Sequence, residues 1–357
     1  MSRRRIDTVR KKMLAENLDG VVVNHLDHIR YLTGFTGSSA MLVITRTATD
    51  FFTDFRYKDQ SAKQVKGARI HIIKGDPTGT IKDFPKFNVK NHRLGFNGEY
   101  LTVSARERLM KGLPRAILVP ADSIFTELGW VKETVEVASI TEAAAISDTA
   151  FERILPLVRP GAREIDVAAE LEYQMIMLGS EKAAFETIVA SGYRSALPHG
   201  AASKKKIQKG DFVTFDFGAT VNGYVCDITR TVVVGKPTAK QKKIYDLVLR
   251  ANKAGLKKIK AGVSGKAVDA ACRRIITKAG YGKNFGHGTG HGIGFFVHVG
   301  PRLSTISEDK LKVNNVITVE PGIYISGWGG VRIEDDVVVT RGGCRVLTKA
   351  PKNLLEL

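Results

Sequence analysis

Val221-Asn222-Gly223-Tyr224 constrains this chain more than any other four residues in it. Asn-Gly supplies the two positive φ angles of a type I′ turn, so the flanking segments read as a tight antiparallel hairpin. With Val221 opposite Tyr224, the pairing steps outward symmetrically and sets Asp216 against Thr229. Asp227, two residues before Thr229, then shares their face, and two carboxylates converge diagonally with backbones roughly 7 to 8 Å apart. Carboxylates so placed can close around cations but not on each other. Either aspartate alone would read as an ordinary exposed residue. Asp216, however, lies within Phe212-Val213-Thr214-Phe215-Asp216-Phe217, a run that reads as buried, and a buried carboxylate needs a positive partner.

Further downstream, Gly286-His287-Gly288-Thr289-Gly290-His291-Gly292 places two histidines four apart, but four glycines in seven residues disfavour a regular helix and hence a helical zinc motif. A phosphate loop is also disfavoured, because the order strand, glycine loop, helix is missing. A glycine-rich backbone holding imidazoles close to a ligand fits better, with His298 following in the apolar setting of Phe295-Phe296-Val297. Taken singly, each histidine reads more readily as structural. Glu320 follows Val316-Ile317-Thr318-Val319, and Glu334 lies within Val331-Arg332-Ile333-Glu334, with Asp335 and Asp336 beside it competing for its role. Glutamate is depleted in such apolar strands unless something offsets its charge. Four carboxylates and an imidazole form a hard ligand set, unlike the thiolate cages of structural zinc. Their charge of −4 matches two divalent ions, where a single ion would leave −2.

With 357 residues and 43% hydrophobic content, the chain reads as a folded protein of two domains, an α/β domain over residues 1–130 and an α+β domain over 131–357. In the first, apolar runs at Val21-Val22-Val23, Ala40 to Ile44 and Ile70 to Ile73 read as strands. In the second, a long helical stretch follows Val131-Lys132-Glu133-Thr134 and runs through Ala143-Ala144-Ala145 to Val158, and helical spacing returns in Glu164 to Leu178, Gln241 to Ile259 and Lys266 to Ala279. Strand-like runs cover Asp211 to Phe217, Tyr224 to Val234, Val316 to Glu320 and Val331 to Val339. No apolar run approaches the roughly 20 residues of a membrane span, and Met1-Ser2-Arg3-Arg4-Arg5 leads into a charged segment, so a cytoplasmic protein is expected. Cys226, Cys272 and Cys344 form neither a CxxC pair nor an even disulfide set. The net charge of +19 is spread along the sequence without interleaved aromatics, which reads as a solvated basic surface with no specific nucleic-acid partner.

These elements together resemble the pita-bread metallopeptidases: prolidase, aminopeptidase P, methionine aminopeptidase and the metal-free creatinase. The family's ligand order Asp, Asp, His, Glu, Glu is matched by Asp216, Asp227, His291, Glu320 and Glu334. The N-terminal half resembles the creatinase-type domain in Tyr31-Leu32-Thr33-Gly34-Phe35-Thr36-Gly37-Ser38 and Thr53-Asp54-Phe55-Arg56-Tyr57. The resemblance implies a creatinase-like α/β domain before an α+β pita-bread catalytic domain, and two metal ions, manganese first, with cobalt or zinc as alternatives. It implies that Asp227 and Glu334 bridge the ions, that Asp216 completes one, and that His291 and Glu320 complete the other. It further implies that Glu320 shuttles a proton to the leaving proline nitrogen, that His199 binds substrate, and that His298 stabilises the tetrahedral intermediate. His287, Arg332 and Thr229 match positions that orient the ligands, and Arg302 matches one where some prolidases hold a dipeptide carboxylate. Val299 stands where the family often has an acid.

The resulting expectation is a homodimeric Xaa-Pro aminopeptidase or dipeptidase acting on short proline-containing peptides. The alternative from another class is an inactive pita-bread module that binds protein or nucleic acid. A creatinase-like amidinohydrolase is disfavoured, because that branch does without the metal set.

Overall fold

The computed structural model describes residues 2–357; Met1, the start of the basic N-terminal run, lies outside the described residues. The chain divides into two compact units, one ending at Leu128 and one running from Gly129 to Leu357.

The first unit is built on a six-stranded mixed sheet in the order Arg69–Ile73, Thr49–Asp54, Met41–Thr45, Gly20–Val23, Arg93–Phe96, Ile117–Pro120. The all-apolar runs read from the sequence occupy this sheet. Val21, Val22 and Val23 are fully inaccessible, as are Met41 to Ile44, because central strands covered on both faces carry no polar alternation. Arg69–Ile73, at the sheet edge, is half exposed.

The second unit combines two helix pairs with short antiparallel sheets. Its first helix, Thr134–Ile154, opens on a reciprocal cap between Glu133 and Glu136. It ends at Ile154, earlier than Val158 as the spacing suggests. Pro156 lacks the N–H that the helix needs, and the chain passes into a single tight turn over Leu155–Leu157. The helices Glu164–Met177, Ala239–Lys258 and Gly265–Lys278 match the expected spans closely.

The hairpin adopts the register set by its turn. Asn222 and Gly223 have φ of 52° and 80°, Tyr224 pairs with Val221, and Thr229 pairs with Asp216. Strand Phe212–Phe217 lies between Ile228–Val233 and Ile188–Ser191. Its period of two sends Val213, Phe215 and Phe217 into the core under the first helix pair and turns Thr214 and Asp216 the other way. In a second sheet, Val316–Val319 pairs with Asp335–Val339. There Ile317, Val319, Val337 and Val339 pack under the second helix pair, while Thr318 and Asp336 are left on the opposite face. Polar groups from both sheets are thereby collected between two apolar cores.

Two expected strands are interrupted. Tyr224 to Val234 breaks into Tyr224–Val225 and Ile228–Val233, and Val331 to Val339 breaks into Gly329–Arg332 and Asp335–Val339. Asp227 and Glu334 sit in the two gaps. Their amides leave the regular ladders: that of Asp227 donates to the Asp336 carboxylate at 2.9 Å, and that of Glu334 to the Thr229 carbonyl at 3.1 Å. Propensity read along one strand does not register a side chain that must turn inward.

Candidate metal centre

Asp227, His291 and Glu334 each present a ligand atom, and the three atoms lie within 4.8 Å of one another. His291 Nε2 stands 3.6 Å from Asp227 Oδ2 and 3.3 Å from Glu320 Oε1. Asp216 is not part of that tight group: its Oδ2 accepts from Arg332 Nη2 at 2.5 Å, while its buried Oδ1 has no hydrogen-bond partner. All five expected ligands therefore border one space, in which three converge tightly, Glu320 abuts His291, and Asp216 is held at the side by a guanidinium.

The backbone that carries His291 owes its course to glycine. A Cβ at Gly290 would lie 2.2 Å from the Thr318 carbonyl oxygen, and one at Gly292 would lie 2.1 Å from that of Gly300. The segment runs as the short strand Gly290–Gly292, as its composition implies, and not as a helix. It is pinned from the helix Gly265–Lys278: Asp269 accepts from the Thr289 amide and hydroxyl at 3.1 and 2.9 Å, and Arg273 donates to the His287 carbonyl at 2.7 Å.

Arg332 organises the other side. Its Nε donates to Thr229 Oγ1 at 2.9 Å, and that hydroxyl donates to Glu334 Oε2 at 2.6 Å. Its Nη1 reaches the hydroxyl of Tyr324 at 2.9 Å, and that oxygen also meets His287 Nε2 at 2.9 Å. Thr229, Arg332 and His287 thus lie where the sequence places them, against the carboxylates. Tyr324, which joins Arg332 to His287, was not singled out in the sequence, since a tyrosine in Gly322–Ile325 looks like any strand aromatic.

The candidates around Glu334 separate by partner. Asp335 points away, bound to Arg230 Nη2 at 3.0 Å and Lys352 Nζ at 2.7 Å, and despite its burial these cations hold its pKa below the ordinary carboxylate range. Asp336 braces the Asp227 amide, and burial pushes its pKa up to about 8.

Electrostatics show what the cluster lacks. Burial, reinforced by neighbouring carboxylates, drives Asp227 and Glu334 well above the normal range, and burial raises Asp216 as well. Glu320 is also buried, but its hydrogen bond and charge contact with His291 bring it down to about 2. Carboxylates that resist ionisation unless a cation is nearby suit an ion site. The hard oxygen donors plus one imidazole, and the orphaned Asp216 Oδ1, fit divalent ions.

The remaining expected residues rim the space. The His298 ring lies 4.4 Å from that of His291, and partial burial with that neighbour lowers its pKa. His199 is exposed on a loop close enough for its charge to act on Asp216 and His298. Arg302 is exposed in the strand Val299–Leu303, and Val299 pairs with Gly292.

One buried residue unremarked in the sequence supports the His199 loop. Glu164, fully inaccessible, accepts from the Ser191 amide and hydroxyl at 2.7 and 2.8 Å through Oε1. Through Oε2 it accepts from Arg194 Nε, the Ser203 amide and the Ser203 hydroxyl at 3.0, 3.1 and 2.6 Å. Both ends of the loop are tied to one carboxylate, and Pro198 O additionally accepts from Arg332 at 3.2 Å.

A carboxylate-rich cluster with one imidazole among it and further histidines at its rim has the donor set of a metal-dependent hydrolase. Residues 138–341 match the model of metallopeptidase family M24, and residues 5–128 match the creatinase/prolidase N-terminal domain. The chain belongs to metallopeptidase family M24. It is 46% identical to the peptidase YqhT of Bacillus subtilis over 95% of this chain and 96% of that one. Among solved structures, the Xaa-Pro dipeptidase from Bacillus anthracis superposes with a TM-score of 0.96 at 43% identity, covering 100% of both chains. The X-Pro aminopeptidase from Thermotoga maritima gives 0.89 at 35%, covering 99% of both. The creatinase-type domain followed by a pita-bread catalytic domain, expected from the motifs, is the architecture of this protein.

Proposed function

We propose that this chain is a dinuclear metal-dependent exopeptidase that hydrolyses the Xaa-Pro bond of short peptides, as a dipeptidase or an aminopeptidase. The observation that carries this reading is the gathering of Asp216, Asp227, Glu320 and Glu334 around one space with His291, with Arg332 alone among the described lysines and arginines hydrogen-bonded to one of the four carboxylates. After Arg332, a charge of −3 remains, more than one divalent ion neutralises. The similarity to an Xaa-Pro dipeptidase and to an X-Pro aminopeptidase supports the substrate class.

In this reading Asp227 and Glu334 would bridge two ions, Asp216 would complete one, and His291 and Glu320 the other; manganese suits the hard oxygen donors. The ions would supply Lewis-acid polarisation and an acidified water. Thr229 and Arg332 fix the carboxylate orientations that the ions require. Glu320 takes the proton of the attacking water and returns it to the proline nitrogen. His298, with its lowered pKa, is neutral near pH 7 and hydrogen-bonds the developing oxyanion. His199 holds the substrate, and Arg302 receives the free carboxylate of a dipeptide.

Residues 1–130 serve as the creatinase-type domain and 131–357 as the catalytic domain. A cytoplasmic homodimer is our reading, supported by three free thiols and by the creatinase-type N-terminal half. Among the described residues no helix is long and apolar enough to cross a membrane.

The test is hydrolysis of Ala-Pro and of a longer Xaa-Pro peptide by manganese-loaded protein, with and without chelator. Cleavage of the dipeptide alone identifies a dipeptidase, and release of the first residue from the longer peptide identifies an aminopeptidase. Inertness towards both refutes the proposal.

A further inference from the structure

The basic residues are concentrated on one helix pair of the second unit. The helices Ala239–Lys258 and Gly265–Lys278 with their connection hold twelve lysines and arginines against two acids, a net +10 of the chain's +19 within forty residues. At 3.6 residues per turn, Lys242, Lys243, Arg250, Lys253 and Lys257 fall on an arc of about 100°. All five are exposed, whereas Ile244, Val248, Ala251 and Gly255 face the core. On the second helix Lys266, Arg274 and Lys278 are exposed, and Val268, Cys272 and Ile276 pack inward. Of the two acids, Asp269 is buried and paired twice with Arg273, at 2.8 and 2.9 Å, so it offsets nothing at the surface. A cleft of 780 Å³ has Lys243, Asp246, Arg250 and Lys253 around Leu247, Leu249 and Ala279, and one of 380 Å³ lies at Lys258 and Arg274 over three alanines. None of the candidate metal ligands lines either cleft.

We propose that this helix pair is a docking surface for the phosphate backbone of double-helical RNA, bound without base-sequence preference. From Lys242 to Lys257 the helix rises about 22 Å, long enough for its cations to meet several successive phosphates of one strand. No large hydrophobic side chain of either helix is exposed, although an interfacial membrane helix or a tight protein interface needs such anchors. Tyr245, the aromatic residue of the first helix, is buried, so bases of a single strand have no platform there. A duplex backbone needs neither. Asp246, exposed inside the cationic cleft, repels phosphate but accepts from a 2′-hydroxyl, a group that RNA presents across its shallow minor groove and DNA lacks.

The inference stands apart from the peptidase reading, and fluorescence anisotropy of the full chain tests it. A labelled 20-base-pair RNA duplex is expected to bind in the micromolar range at about 50 mM salt, with affinity falling steeply as salt rises. The triple variant Lys243→Glu, Arg250→Glu, Lys253→Glu is expected to bind at least tenfold more weakly, with the logarithmic salt slope reduced by about three. Its melting temperature and peptide turnover should stay unchanged, which separates lost docking from lost folding. Undiminished RNA binding by the triple variant overturns the assignment of this face. DNA binding as tight as RNA binding overturns the choice of RNA, and binding to anionic vesicles without binding to RNA overturns the partner class.

Discussion

Replacing Glu164 perturbs the site without touching a ligand. In Glu164→Ala, five donors lose one buried acceptor: two amides, two hydroxyls and the Arg194 guanidinium. The hydroxyls can rotate to other partners, but the amides and guanidinium cannot. Breaking a buried ion pair from one side costs about 3 to 5 kcal/mol. For a unit of 150 to 250 residues each kcal/mol moves the melting temperature by about 2 to 4 °C, so the variant should melt about 6 to 20 °C lower. Glu164→Gln keeps an acceptor for Ser191 and turns an amide nitrogen towards Arg194 and the Ser203 amide, at about 2 to 4 kcal/mol. At a temperature where both variants are folded, the loosened His199 loop should raise KM about tenfold while kcat and metal content hold. Differential scanning calorimetry and steady-state kinetics on an Xaa-Pro peptide read the two effects. A shift below 2 °C for Glu164→Ala would refute the clamp energetics. A full shift with unchanged KM would show that the clamp does not act on substrate binding through His199.

Other perturbations bear on separate parts of the account. Asp227→Asn and Glu320→Ala should each abolish turnover while leaving the far-ultraviolet circular dichroism intact; retained activity refutes their assigned roles. Tyr324→Phe removes one hydroxyl shared by Arg332 and His287, a loss of about 0.5 to 1.5 kcal/mol, and should lower kcat/KM about threefold to tenfold. In the first unit, burial against Tyr100 and Phe125, with the nearby His25, lowers the pKa of His28 to about 3. The folded pKa lies below the unfolded value of 6.5, so the neutral ring stabilises the fold above pH 6.5. That contribution is lost as pH falls from 6.5 towards 3, by at most about 1.4 kcal/mol per pH unit. His28→Phe should therefore flatten the acid limb of the melting curve between pH 6.5 and 4, and an unaltered limb would contradict this.

Much of the site was legible because it rests on local rules. Asn222-Gly223 determines a register by turn geometry alone, and that register brings Asp216 to Thr229. Apolar strands containing a glutamate, and glycines crowded between histidines, are anomalies that burial explains. What stayed hidden depends on contacts distant in sequence. The breaks at Asp227 and Glu334 arise because each amide is satisfied from another strand, more than a hundred residues away in both cases. Asp335 and Glu334 are neighbours of equal promise in sequence, and Arg230 and Lys352 decide between them. Glu164 reads as a helix-start acid, and its five donors lie between Ser191 and Ser203. The basic face likewise appears once helical winding aligns Lys243, Arg250 and Lys253, spaced seven and three apart.

The central claim is that these carboxylates hold two ions. Isothermal titration of chelator-treated protein with manganese measures that directly. Two ions per chain are expected for the wild type, with the stoichiometry or affinity collapsing in Glu334→Gln. A single site, or binding indifferent to Glu334, would contradict the account.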